Sequence, residues 1–147
     1  MFQREFAMRL VARPGDNLWC RLSANVQLYA KVNHVMKVGR NNFRPPPQVE
    51  SSVVRLEPID PPPPIAFGEF DGLTRILFGR RNKTVRANFG AKGVMELIEA
   101  NRKTWLAMRE DKMDDDATIE EVLDRVLEET GFAESRAAKM DVDDFLR

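Results

Sequence analysis

One cysteine, one histidine and one tyrosine occur in 147 residues, and no long apolar run interrupts them. The lone Cys20 excludes an internal disulfide framework and suits a reducing compartment. It has no CxxC partner, so a zinc site is not expected. The lone His34 has no Ser, Cys or acid at catalytic spacing, and a packed or surface role is expected of it. No stretch approaches the roughly 20 apolar residues that cross a bilayer, and the N-terminus has no signal-peptide pattern. No membrane partner is therefore expected. None of the eight glycines forms a G-x-G. What is present is ordinary: 43% hydrophobic and 31% charged residues describe a folded, soluble chain rather than a disordered one.

Net charge is also lacking, but only as an average. Residues 1–112 carry 19 Lys+Arg against 11 Asp+Glu, a net of +8, and residues 113–147 carry 4 against 12, a net of −8. Such asymmetry fits either a basic face for a polyanion beside an acidic end, or two solvated surfaces of opposite sign.

The run Pro61-Pro62-Pro63-Pro64 is the clearest boundary, since consecutive prolines favour an extended, semi-rigid spacer. Before it, Phe6, Ala7, Leu10 and Val11 predict a helix stopped by Pro14-Gly15, and Leu22, Val26 and Tyr29 predict another. Val32 to Val38 and Val49 to Leu56 predict strands joined by an Asn/Pro-rich loop. Ser51, Ser52 and Arg55 among the valines place the second strand near a sheet edge or facing a cleft. Two strands make a marginal sheet, so further strands are expected beside them. After the prolines, Phe70, Leu73, Ile76 and Leu77 predict a helix ending near Gly79. Val94, Leu97 and Ile98 open one extending towards Trp105 and Met108. Thr118 and Glu121 fit a capping box ahead of a stripe at Ile119, Val122, Leu123, Val126 and Leu127, stopped by Gly131. Ala137 to Leu146 predicts one or two short helices. Asp114-Asp115-Asp116 lacks the Gly and distal Glu of a calcium loop and is expected to favour the following helix dipole, so no metal is expected. Trp19 and Trp105 are expected to pack in the core or between elements.

Two groups of residues carry chemistry. Phe43 stands at the mouth of the loop Asn41-Asn42-Phe43-Arg44-Pro45-Pro46-Pro47, where an aromatic face either stacks a base or plugs the loop. Arg80, Arg81, Lys83 and Arg86, with Arg75 one turn earlier, form a cationic cluster. On a continuous helix Arg80, Lys83 and Arg86 share a face suited to phosphates, the bland alternative being a solvated helix face.

Asn41 to Leu56 resembles the F-x-P-x-P-K-V-x-S-x-V-V-R-L signature of the rRNA adenine N6-dimethyltransferase family. Trp19-Cys20-Arg21-Leu22-Ser23 is similar to its aromatic-x-R-L-S element, and Arg81-Asn82-Lys83-Thr84-Val85-Arg86 to its R-x-K-T-[LIV]-R segment. The resemblance runs from Met1 to Arg147 and leans to the eukaryotic small-subunit type.

It implies an α/β fold, the C-terminal remnant of a Rossmann-like methyltransferase sheet followed by a small all-α domain. Residues 1–60 would end the sheet, 61–65 would link, and 66–147 would form a helical rRNA-contacting domain. The function implied is S-adenosylmethionine-dependent dimethylation of two adjacent adenines near the 3′ end of small-subunit rRNA, in ribosome biogenesis. On this resemblance Phe43 and Pro45 belong to the target-adenine cleft, and Arg75, Arg80, Arg81, Lys83 and Arg86 contact RNA. Asn82 stands where many members carry another cation. The family's glycine-rich turn and its N-[LI]-P-[YF] motif are not in these residues. The chain alone is therefore expected to bind no methyl donor and to be inactive, with truncation expected at both ends. Expected partners are small-subunit rRNA, the pre-ribosomal particle and the missing N-terminal half of the methyltransferase domain. The expected location is the nucleus or nucleolus, or the cytoplasm if the eukaryotic lean is wrong. The rival reading is a non-catalytic RNA-binding or ribosome-assembly module.

Overall fold

A computed structural model describes residues 1–108 and 117–147. The acidic run at Asp114 to Asp116 lies outside them. The described residues form an α/β structure with a three-stranded antiparallel sheet. Strand β1 (Phe2–Gln3) runs straight into α1 (Arg4–Val11), followed by α2 (Arg21–Tyr29), β2 (Ala30–Val38), a 3-10 turn at Arg40–Asn42 and β3 (Ser51–Pro58). Five helices follow: α3 (Phe67–Gly79), α4 (Val85–Phe89), α5 (Val94–Met108), α6 (Ile119–Thr130) and α7 (Val142–Leu146).

The expectation of an edge position for the second strand is corrected. Strand β3 lies in the middle, pairing Ser52 and Ser51 with Phe2 and Gln3 on one side and running from Ser51↔Val38 to Pro58↔Ala30 on the other. Two residues of β1 are too few to show an alternating pattern, so this neighbour leaves no periodic signal. Polar Ser52 is fully buried, and its hydroxyl has no hydrogen-bond partner among the described residues.

The proline run marks a change of secondary structure but no gap in the core. Ala12, Trp19, Ala24 and Leu28 before it join Phe70, Leu77, Val85, Leu127, Ala137, Met140 and Phe145 after it in one buried cluster. The run is held at both ends against α2. The Ile59 N–H donates to the Tyr29 carbonyl at 2.8 Å, and the Tyr29 hydroxyl donates to the Ile65 carbonyl at 3.3 Å. At the centre of the core, Trp19 is fully buried, and its indole N–H is shared between the carbonyls of Ala137 and Met140, each at 3.1 Å. Trp105, by contrast, is 53% exposed on α5 and lies outside the core.

The expected capping box of α6 is present. The Thr118 hydroxyl accepts from the Glu121 N–H at 3.2 Å, and the Glu121 carboxylate accepts from the Thr118 N–H at 2.9 Å. Gly131, at φ 71°, closes the helix in the left-handed region that favours glycine. Thr118→Ala removes one of these two bonds. It is expected to lower stability by about 1 kcal/mol in a urea titration.

Candidate nucleic-acid interface

The hairpin between β2 and β3 carries the aromatic candidate. Its geometry begins at Gly39, whose carbonyl accepts the Asn42 N–H at 3.1 Å and the Asn42 side-chain amide at 3.0 Å. The Phe43 N–H then closes on the Arg40 carbonyl at 3.3 Å. Phe43 leaves the turn with extended backbone (φ −118°, ψ 150°) and is half-buried, while the Arg44–Pro45 peptide is cis and Pro45 is exposed. Glu50, just before β3, is paired with Arg4 at 3.3 Å. The loop thus holds Phe43 at the tip of a hairpin.

The basic candidates fall differently. The expectation that Arg80, Lys83 and Arg86 share one helical face is corrected. Helix α3 stops at Gly79, Arg80 is non-helical (φ −136°, ψ 66°), and a new helix starts only after Thr84. Thr84 caps α4 by accepting the Ala87 N–H at 3.2 Å. The buried Asn88 side chain fills the turn, donating to the carbonyls of Arg80, Lys83 and Thr84 at 3.3, 3.4 and 3.1 Å. Asn88 is the residue that sequence reasoning missed. Gly79 followed by a threonine cap at Thr84 was the available signal for a break.

Most of these cations already have partners. Arg81 donates to the carbonyls of Asn17 and Trp19 at 2.8 and 3.0 Å, tying the α3–α4 turn to the loop before α2. Arg80 donates to the Ala87 carbonyl. Arg86 pairs with Asp124 of α6 at 2.9 Å, and Arg75 with Asp71 at 3.1 Å. Lys83 is exposed.

Asp71 sits in a polar knot between α2 and α3. It accepts the Asn25 amide at 2.6 Å and lies 3.5 Å from the Arg21 guanidinium, and Asn25 in turn accepts the buried Thr74 hydroxyl at 2.9 Å. The Asn25 hydrogen bond holds the Asp71 carboxyl below its ordinary 3.8; partial burial opposes this, and Arg75 and Arg21 add to it. A lowered folded-state value stabilises the fold above the unfolded value and loses that contribution as pH falls through the folded one. Asp71→Asn is therefore expected to cost about 1–2 kcal/mol near neutrality. The gap between parent and variant in thermal unfolding should shrink as pH drops below about 4.

Other features take bland roles. His34 is exposed on β2. A crevice of about 340 Å³ is lined by Val11, Arg13, Gln27, Lys31, Val32 and Ile59, and holds none of the candidate residues. Its Gln27 amide is already committed to the carbonyls of Leu10 and Ala12. Among the described residues no three His, Cys, Asp or Glu side chains form a metal cluster, and no helix is long and apolar enough to cross a membrane.

The family model for ribosomal RNA adenine dimethylase matches residues 1–128. The chain belongs to the ribosomal RNA adenine dimethylase family. Similar members include the dimethyladenosine transferase of Eremothecium gossypii, 58% identical over 153 residues, and that of Saccharomyces cerevisiae, 57% identical over 152; each covers 100% of this chain and 48% of the relative. A crystal structure of a dimethyladenosine transferase from Plasmodium falciparum superposes with a TM-score of 0.90 at 39% identity, covering 99% of this chain and 52% of that one. The chain thus spans about half the length of the relatives it matches. The dimethylase family transfers methyl groups, which implies S-adenosylmethionine. The described residues do not fit that group. An adenosyl cofactor needs a glycine turn between a strand and a helix N-terminus. Here β1 passes into α1 without a glycine, β2 leads to the 3-10 turn, and β3 leads to the prolines. The glycines with positive φ, at 15, 93 and 131, follow no strand.

Proposed function

We propose that this chain is the RNA-holding part of an rRNA (adenine-N6,N6)-dimethyltransferase acting on two adjacent adenines near the 3′ end of small-subunit rRNA. Half-buried Phe43 at the hairpin tip is the observation that carries this reading. Chemistry on a base amino group requires the nucleotide to leave its stack, and an aromatic face beside a rigid loop receives the extruded base. The work of these residues is to bind and orient the adenine, with Phe43 as the stacking face and Pro45 stiffening the wall. Residues 1–60 complete the methyltransferase sheet, 61–65 connect, and 66–147 form the rRNA-contacting domain.

Eukaryotic relatives support a place in ribosome biogenesis, at the nucleolus and on a pre-ribosomal particle. The donor site then lies outside residues 1–147, and the chain alone is inactive. Calorimetry tests both halves of the proposal. An adenine-bearing stem–loop copied from the 3′ end of small-subunit rRNA should release binding heat with the chain, and S-adenosylmethionine should release none. Donor binding by the chain alone would overturn the division of labour. Absence of RNA binding would overturn the RNA-holding role.

A further inference from the structure

The cations chosen from the sequence are largely committed within the fold, and a different set is free. Residues 31–49 contain Lys31, Lys37, Arg40 and Arg44 and no Asp or Glu. Lys37, Arg40 and Arg44 are exposed, and none has a carboxylate partner among the described residues. The nearest acid in sequence, Glu50, is taken by Arg4. A phosphate approaching Arg86 competes with Asp124, and one approaching Arg81 competes with two backbone carbonyls. A phosphate approaching the hairpin tip meets no such competitor among the described residues, which favours fuller counterion release.

Chain position puts these charges in the same hairpin tip as the aromatic. Lys37 is one pair from the end of β2, opposite Ser52. Arg40 opens the 3-10 turn, and Phe43 leaves it three residues later with its N–H bonded to the Arg40 carbonyl at 3.3 Å. Arg44 is adjacent. One aromatic thus shares a hairpin tip with three cations that have no carboxylate partner among the described residues, a combination suited to holding a single strand by its bases and backbone together.

We propose that Lys37, Arg40 and Arg44 grip the phosphates flanking a base stacked on Phe43, and that this tip sets the salt dependence of RNA binding rather than the α3–α4 turn. The proposal rests on the RNA-holding role assigned above.

The test uses the 147-residue chain and a short single-stranded oligoribonucleotide carrying one 2-aminopurine. Anisotropy against salt gives the slope of log affinity, and 2-aminopurine quenching reports stacking. The triple variant Lys37→Gln, Arg40→Gln, Arg44→Gln is expected to lower the slope by about 2, at roughly 0.7 per single-strand phosphate. All three hairpin cations are exposed, and circular dichroism checks that the triple variant folds. An unchanged slope in the hairpin variant, with a fall in Lys83→Gln, Arg86→Gln, would overturn the inference; Phe43-dependent quenching in that case leaves the stacking role standing. A reduced slope with quenching unaltered in Phe43→Ala supports the phosphate grip and refutes stacking. Binding of poly-glutamate but not RNA, lost in the triple variant, would overturn the inference in favour of an acidic protein partner.

Discussion

Trp19→Ala is expected to destabilise the chain by about 3–5 kcal/mol, the range for emptying a buried large aromatic site. That is a large share of the roughly 5–15 kcal/mol that holds a typical domain folded. Two losses combine. The cavity opens at the point where the first half of the chain meets Phe78, whose ring lies 6.3 Å from the indole in an edge-on arrangement. The indole N–H also vanishes from two carbonyls more than 100 residues away in sequence, at Ala137 and Met140. Trp19→Phe shifts the balance between the two terms, because it keeps a six-membered ring in the buried site while deleting the donor and part of the bicycle. It should cost about 1–3 kcal/mol. Urea unfolding followed by far-ultraviolet circular dichroism measures both, and hydrogen exchange should show faster opening across residues 137–146 in each variant. A loss below about 1.5 kcal/mol in Trp19→Ala would show that the core does not depend on this bridge.

The helices were readable because their signals are local. Thr118 with Glu121, the apolar stripe to Leu127 and the stop at Gly131 lie within one contiguous stretch, and each does what its chemistry suggests. The two longer strands were readable for the same reason, although β2 starts two residues earlier than expected and β3 is shifted by two residues at both ends. The failures are non-local. Strand β3 gained its second neighbour from a two-residue strand, placed by pairing of Phe2 with Ser52 rather than by any pattern. The cationic segment looked like one helix because Arg80, Lys83 and Arg86 are three apart. Its break depends on Asn88 reaching back to three carbonyls, and the use of Arg81 depends on Asn17 and Trp19. Spacing along a chain identifies neighbours on a helix, but it cannot reveal which charges the fold has already used. Phe43 was legible as a candidate through its motif, whereas the lack of a carboxylate partner for Lys37, Arg40 and Arg44 among the described residues depends on ion pairs formed elsewhere in the fold.

Phe43→Ala, placed in a polypeptide of the relatives' full length, is expected to slow methyl transfer about 5- to 150-fold. This follows from about 1–3 kcal/mol for stacking one base, at roughly 1.4 kcal/mol per tenfold in rate. RNA affinity should change much less, because backbone charge supplies most of it. The split between rate and affinity is what distinguishes a stacking wall from a loop plug. If Phe43 merely filled the hairpin, its removal would loosen the loop, lower thermal stability and weaken RNA binding together with the rate. Phe43→Tyr retains the aromatic face and is expected to stay close to the parent enzyme.

The most direct measurement is single-turnover methylation by the parent, Phe43→Ala and Phe43→Tyr enzymes at saturating rRNA. The expected result is a rate about 5- to 150-fold lower in the alanine variant, restored by tyrosine, with unfolding temperatures unchanged. Equal rates in all three enzymes would contradict a cleft walled by Phe43.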